Sequence, residues 1–315
     1  MKIVLTDCET ISDNHSDFEI FCQYGDVVLY DTSTPLEAAE RVAEADMVIC
    51  NKTIIGREAM DNAPGLKYIG LFATGYNNID IEYAAHRGIT VCNAGSYSTN
   101  AVAQHTFALI LEYYSRTAAY ASFTADGGWK GCRVFSPVLF ETHELAGKTL
   151  GIVGLGNIGT AVSRIGLAFG MKVIAFTRTE KRVEGVELVS FDELLERSDI
   201  ISVHCPLNSG SEKLFGAAEF ARCKDNALFV NTARGGIVDE QALRNALDGE
   251  ILGGAAIDTI STEPMREDCP LFGAKNIIIT PHIAWAARET IQRLIGIVSP
   301  NIRADLEGKP VNRIV

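Results

Sequence analysis

No C-x-x-C pair occurs anywhere in this chain, so neither a zinc ribbon nor a thioredoxin-like redox motif is indicated. No His, Cys, Asp or Glu cluster has metal-ligand spacing, and no metal is expected. Apolar runs are short; none approaches the ~18 residues that a membrane span needs. The opening Met1-Lys2-Ile3-Val4-Leu5-Thr6-Asp7 has no long apolar core and no small-residue cleavage site. It reads as the start of a cytoplasmic protein. Positive charge is scarce: 28 Lys and Arg face 40 Asp and Glu, for a net charge of −12. Such a surface repels nucleic acid and anionic membranes. An anionic substrate would need a local cationic pocket. Repeats and low-complexity stretches are also missing.

What is present is globular: 47% hydrophobic and 22% charged over 315 residues, enough for two domains with separate cores. Eight cysteines, at 8, 22, 50, 92, 132, 205, 223 and 269, lie mostly in apolar runs. They read as buried, reduced thiols in a reducing compartment.

Short apolar runs alternate with helical patterns. Candidate strands 2–6, 27–30, 46–50, 67–71 and 89–92 are separated by helices 35–44, 56–62 and 80–87. Continuous Val/Ile/Leu strands between helices mean a parallel sheet covered on both faces. A long helix is expected over 99–120, capped by Ser98-Thr99-Asn100, as a bridge or oligomer contact. Residues 124–146 read as an irregular surface loop. Six further strands (149–153, 172–176, 199–203, 226–231, 254–258, 276–280) alternate with helices 157–169, 191–197, 216–223 and 239–248. That is a doubly wound sheet. A last helix spans 285–308, stopped by Gly308 and Pro310.

Gly154-Leu155-Gly156-Asn157-Ile158-Gly159 sits between a buried strand and a helix, which lifts a weak motif to a specific one. Gly154 permits the tight turn, Gly156 lets backbone approach a pyrophosphate, and Gly159 lets helix and strand pack closely. The anion would rest on the helix N-terminus. The next strand ends Ala175-Phe176-Thr177-Arg178-Thr179, without the Asp or Glu that binds a ribose 2′-hydroxyl in NAD-selective sites. Arg178, with the hydroxyls of Thr177 and Thr179, suits a 2′-phosphate and tilts the choice toward NADPH.

Three charged residues follow neighbouring strands: Arg234, Glu263 and His282. In a doubly wound sheet the ligand crevice lies at those carboxyl ends. Reduction of a keto acid builds negative charge on oxygen, and His282 is placed to donate the proton. Glu263 beside it would stabilise the protonated ring. Arg234 offers a planar fork to a substrate carboxylate.

These segments, with Ser202-Val203-His204-Cys205-Pro206-Leu207, Asn231-Thr232-Ala233-Arg234-Gly235-Gly236, Thr262-Glu263-Pro264 and Thr280-Pro281-His282, resemble the D-isomer-specific 2-hydroxyacid dehydrogenases over nearly the whole chain. The resemblance implies a Rossmann cofactor domain, 98–285, inserted in a smaller flavodoxin-like substrate domain, 1–97 plus 286–315. It implies that Arg234 binds substrate, Glu263 tunes the histidine and His282 is the acid/base. It implies cofactor contacts at Asn157, Ile158, Cys205, Pro206, Thr232, Ala233 and Asp258, and backbone contacts to the substrate carboxylate at Ala73, Thr74 and Gly75. Ala73-Thr74-Gly75-Tyr76-Asn77, Tyr97-Ser98-Thr99, Val102-Ala103-Gln104-His105 and Pro281-His282-Ile283-Ala284-Trp285-Ala286 look closest to the glycerate dehydrogenase and hydroxypyruvate reductase branch. Family members often carry a Gly pair where Ala284-Trp285 stands here.

The expected activity is NAD(P)-dependent reduction of hydroxypyruvate or glyoxylate, or the reverse, by a homodimer. Phosphoglycerate- or lactate-type dehydrogenation is the alternative within enzymes. A cofactor-sensing binding protein of the corepressor type is the alternative outside them. His204 is placed near the adenosine of the cofactor, and His105 on the long helix reads as packing or dimer contact.

Overall fold

A computed structural model describes residues 1–179 and 181–315. By its internal contacts the chain forms two units, Met1–Ser98 with Ala286–Val315, and Thr99–Trp285.

The first unit holds strands β1 (Lys2–Leu5), β2 (Asp26–Leu29), β3 (Met47–Cys50), β4 (Tyr68–Leu71) and β5 (Thr90–Cys92). They pair in parallel in the order β2-β1-β3-β4-β5. Every residue of β3 and β4 is buried, because helices cover both faces and leave no solvent side for a polar alternation. The helices are α1 (Pro35–Arg41), α2 (Arg57–Asn62) and α3 (Ile81–Arg87). A reciprocal Thr34–Glu37 capping box and Pro35 start α1; Gly88, at φ 69°, ends α3. The first crossover instead uses 3-10 turns at Cys8–Thr10 and His15–Gln23, which the sequence did not announce. Phe18 and Phe21 of that crossover pack on Phe72, at 6.0 and 5.9 Å.

A closing helix, Arg288–Leu306, returns to this unit and buries Leu294, Ile295, Val298 and Ile302. Beyond it the tail lies along β5: Ile314 N donates to Val91 O at 2.7 Å, and Val91 N to Val315 O at 3.2 Å. The outer edge strand is thereby covered.

The second unit carries helices α4 (Thr99–Ser115) and α5 (Thr117–Ala125), then β6 (Thr149–Val153), α6 (Asn157–Ala168), β7 (Lys172–Phe176), β8 (Val186–Leu188), α7 (Phe191–Arg197), β9 (Ile200–Val203), α8 (Ala217–Phe220), β10 (Leu228–Asn231), α9 (Glu240–Asp248), β11 (Gly254–Ile257) and β12 (Ile277–Ile279). The sheet order is β12-β11-β10-β9-β6-β7-β8, all parallel, so the strand order reverses between β6 and β9. One face packs Phe215, Phe220 and Phe229 against α7 to α9; the other packs Phe107, Leu109 and Ile110 of α4 against Leu150 and Ile152. Each such side chain contributes about 1.5–3 kcal/mol on burial.

Three expectations need correction. The sheet has seven strands, not six: β8 has only three residues with a charged centre, and Arg197 holds Glu187 by two bonds of 2.9 and 2.7 Å. The helix expected over 99–120 breaks at Arg116, whose φ is 52°. Glu112 accepts from Thr117 Oγ1 at 2.5 Å and Ala118 N at 3.2 Å, so its carboxylate caps α5 as a separate helix. Finally, of the eight free cysteines only Cys8, Cys50, Cys92 and Cys223 are buried; Cys22 is exposed. Burial pushes the Cys8 and Cys223 thiols up to about 12 and Cys92 to about 11.

Candidate active site

The glycine turn leaves β6 at the point of strand-order reversal. Gly154 has φ 97°, and a Cβ there would lie 2.6 Å from the Cys205 backbone nitrogen. A Cβ on Gly159 would collide with Gly154 O, so α6 can approach β6 only with glycine there. Gly156 is different: a Cβ there would meet nothing within 4 Å. It is the N-cap of α6 and supplies no side-chain cap, while Asn157 beside it is exposed. An open backbone cradle on a twelve-residue helix N-terminus fits a pyrophosphate.

On the adenine side, Arg178 is exposed, and its Nη1 lies 3.2 Å from where a Gly210 Cβ would be. Burial pushes the Cys205 thiol up, against the pull of Arg178. Thr177 Oγ1 donates to Thr179 O at 3.3 Å, which turns this hydroxyl back on its own loop. Lys181, which sequence reasoning missed, reaches from the same loop to Thr160 Oγ1 in the first turn of α6, at 3.0 Å. Its place in a Lys181-Arg182 pair after Arg178 was the available signal.

Three of the expected cofactor contacts have side chains committed inside the unit. Thr232 Oγ1 pairs with Thr106 Oγ1 at 3.0 Å in the core. His204 turns its ring to the buried Ser202 hydroxyl at 2.8 Å, and burial lowers its pKa to about 3. Asp258 has a carboxylate with no exposure at all. It accepts from Thr280 Oγ1 at 2.6 Å, Ile283 N at 2.9 Å and Ala284 N at 2.9 Å. Pro206 O receives Ser211 Oγ at 2.6 Å, which shapes the loop after β9. Ile158 and Ala233 are half-buried beside the same edge.

Loops after β10, β11 and β12 carry the charged trio. Asn231 folds the first: its side chain accepts from Ala233 N and donates to Arg234 O, both at 3.0 Å. Arg234 is exposed and donates to Ala233 O at 2.7 Å. Gly235 packs directly on the next loop, since a Cβ there would collide with the Ile260 carbonyl carbon. Glu263 Oε1 accepts from Ile260 N at 3.2 Å, and Glu263 Oε2 meets His282 Nδ1 at 2.7 Å. The ring is about one-fifth exposed. The structure thus brings Glu263 and His282 into direct contact, and it sets the Arg234 loop against the Glu263 loop.

In the first unit, the loop after β4 is tied down at Ala73 and Thr74. Ala94 N donates to Ala73 O at 2.9 Å, and Asn93 Nδ2 to Thr74 O at 2.7 Å. Thr74 Oγ1 also donates to Gly95 O. The Ala73 and Thr74 carbonyls are thus taken by the loop after β5. Among the described residues no group of three His, Cys, Asp or Glu could hold a metal ion.

Residues 107–284 match the family model described as D-isomer specific 2-hydroxyacid dehydrogenase, NAD binding domain. The chain is 36% identical over 318 residues to a hydroxypyruvate reductase of Blautia hydrogenotrophica, covering 99% of each. Among solved structures, a protein of Thermus thermophilus superposes with a TM-score of 0.91 at 34% identity, over 100% of both chains. An NADPH-dependent glyoxylate/hydroxypyruvate reductase of Sinorhizobium meliloti, in complex with citrate, gives 0.86 at 26% identity, over 100% of this chain and 97% of that one.

Proposed function

The chain belongs to the D-isomer-specific 2-hydroxyacid dehydrogenase family, and on that premise we propose a reductase of hydroxypyruvate or glyoxylate with His282 as its acid/base. It is an NAD(P)-dependent oxidoreductase acting on small 2-keto and 2-hydroxy acids. The observation that carries the role of His282 is the 2.7 Å contact between its Nδ1 and Glu263, on the sheet edge that bears the glycine turn.

A carboxylate only accepts, so Nδ1 carries the proton in that bond and Nε2 is left as the exchanging atom. With the ring protonated, Nε2 donates to the oxygen that becomes the hydroxyl; in the reverse direction neutral Nε2 takes that proton. Glu263 keeps the ring in this tautomer and balances its charge. Arg234 grips the acid through its fork. Ala73, Thr74 and Gly75 contribute backbone donors to the substrate carboxylate. Gly154, Gly156, Asn157, Ile158 and Gly159 would hold the pyrophosphate, and the bound nicotinamide supplies or receives the hydride. Arg178 and Lys181 favour a 2′-phosphate, hence NADPH over NADH.

The active form is a homodimer in the cytoplasm. Support for the dimer comes from the stretch 129–139, where Phe135 is 90% and Val138 85% exposed. An apolar groove of about 640 Å³ on the same unit is lined by Ala103, Phe107, Leu111, Ala161 and Ile165. Eight free cysteines suit a reducing compartment. No helix among the described residues is long and apolar enough to cross a membrane.

Initial rates with hydroxypyruvate, glyoxylate, pyruvate and phosphohydroxypyruvate, each with NADPH and NADH, test this reading. The first two substrates with NADPH should give the highest kcat/KM. His282→Ala should lower kcat by roughly 10²–10⁴. Cofactor binding without turnover on any of the four acids would defeat the enzymatic assignment and favour a sensor. Faster rates with NADH would remove the role given to Arg178.

A further inference from the structure

His105 lies in α4, away in sequence from everything that carries the chemistry. Its Nε2 is 2.9 Å from Thr280 Oγ1 and 3.5 Å from Asp258 Oδ1. Thr280 Oγ1 is in turn 2.6 Å from Asp258 Oδ1. Protons in this chain can be counted. The Asp258 carboxylate is fully buried and accepts, so the single Thr280 hydroxyl proton points to it. The Thr280 oxygen can then only accept from His105, which fixes a proton on His105 Nε2. The relay runs His105 Nε2–H to Thr280 O–H to Asp258.

Asp258 holds the turn that bears His282. Its two carboxylate oxygens take the N–H groups of Ile283 and Ala284, and its backbone oxygen takes the N–H of His282 at 2.8 Å. That grip has a purpose. His282 has φ 55°, a left-handed conformation that a non-glycine residue keeps only where its surroundings impose it. Taking a donor from a buried carboxylate leaves it under-satisfied, which weakens its hold on the groups it positions.

We propose that His105 is a positioning residue: through Thr280 it fixes the Asp258 carboxylate, and thereby holds His282 in the backbone conformation from which it meets substrate. The inference rests on His282 being the acid/base. It adds a function for α4, which ties the outer face of the sheet to the reacting end.

Three variants test it. His105→Leu keeps volume and removes the donor; His105→Gln restores an N–H donor; Thr280→Val breaks the relay in the middle. His105→Leu and Thr280→Val should each lower kcat by roughly ten- to a hundredfold, the scale of a misplaced reacting group. KM for NADPH should stay within about twofold, and His105→Gln should regain most of the rate. Should His105→Leu fail to fold, Thr280→Val carries the same expectation. Wild-type kcat in Thr280→Val, or equal losses in His105→Leu and His105→Gln, would overturn the positioning role. His282→Ala separates the two readings. A dead His282→Ala beside unimpaired His105 and Thr280 variants sinks this inference alone. An active His282→Ala sinks the acid/base assignment beneath it.

Discussion

His204 is a strand-end imidazole with a partner inside its own unit. It follows β9 at the expected edge, yet its ring faces Ser202 and burial depresses its pKa from 6.5 to about 3. The sign of the linked effect follows. Between those values the unfolded chain binds a proton that the folded chain refuses, so stability is complete above about pH 6.5 and declines as pH falls toward 3. Urea midpoints at about pH 7.5 and about pH 5 should therefore separate more for the wild type than for His204→Asn. Equal separations would show that this imidazole contributes nothing to acid lability. The charged trio was legible because each member follows a strand end, a position that local patterning reveals. The role of His105 was not: Thr280 stands 175 positions away, and only tertiary pairing turns an apparent packing residue into a donor. Asp258 was named only through the family resemblance, and nothing in the sequence showed that its carboxylate is wholly withdrawn from solvent.

Among elements, the strands were readable wherever burial on both faces made them continuously apolar, as in β3 and β4. β8 escaped notice because an edge strand of three residues with two of them exposed has no such run. The break between α4 and α5 was hidden for another reason. Arg116 and its neighbours are ordinary helix formers, and the interruption comes from the Glu112 carboxylate competing for the next helix's donors. The β6–α6 turn was fully legible, since glycine at three spacings leaves few alternatives. Gly154→Ala puts a side chain at φ 97° and 2.6 Å from backbone. It should cost about 1–3 kcal/mol of stability and weaken NADPH binding by at least about tenfold. Denaturant titration and cofactor fluorescence would check both; an unaltered variant on both counts would mean that the turn is less constrained than its geometry implies.

For the molecule as a whole, a net charge of −12 opposes capture of a small anion at long range. On the proposed function, the exposed Arg234 is the local cation that attracts it against that field. The apolar stretch around Phe135 is the other large-scale feature, and sedimentation provides its test. The wild type should run as a dimer, and Phe135→Asp combined with Val138→Asp as a monomer. A wild-type monomer, or a variant that stays dimeric, would move the interface elsewhere. The chain leaves its first sheet, builds a second, and returns to the first unit. The return has a temporal consequence. Translation delivers all of Thr99–Trp285 before the helix Arg288–Leu306 is even made, so on the ribosome the inner unit is the first with every part in hand. The opening five strands are synthesised first yet must wait, with the surface that Leu294, Val298 and Ile302 will cover still bare, until the final stretch emerges. That interval is when a nascent copy is most exposed to chaperone capture or to clumping with its neighbours.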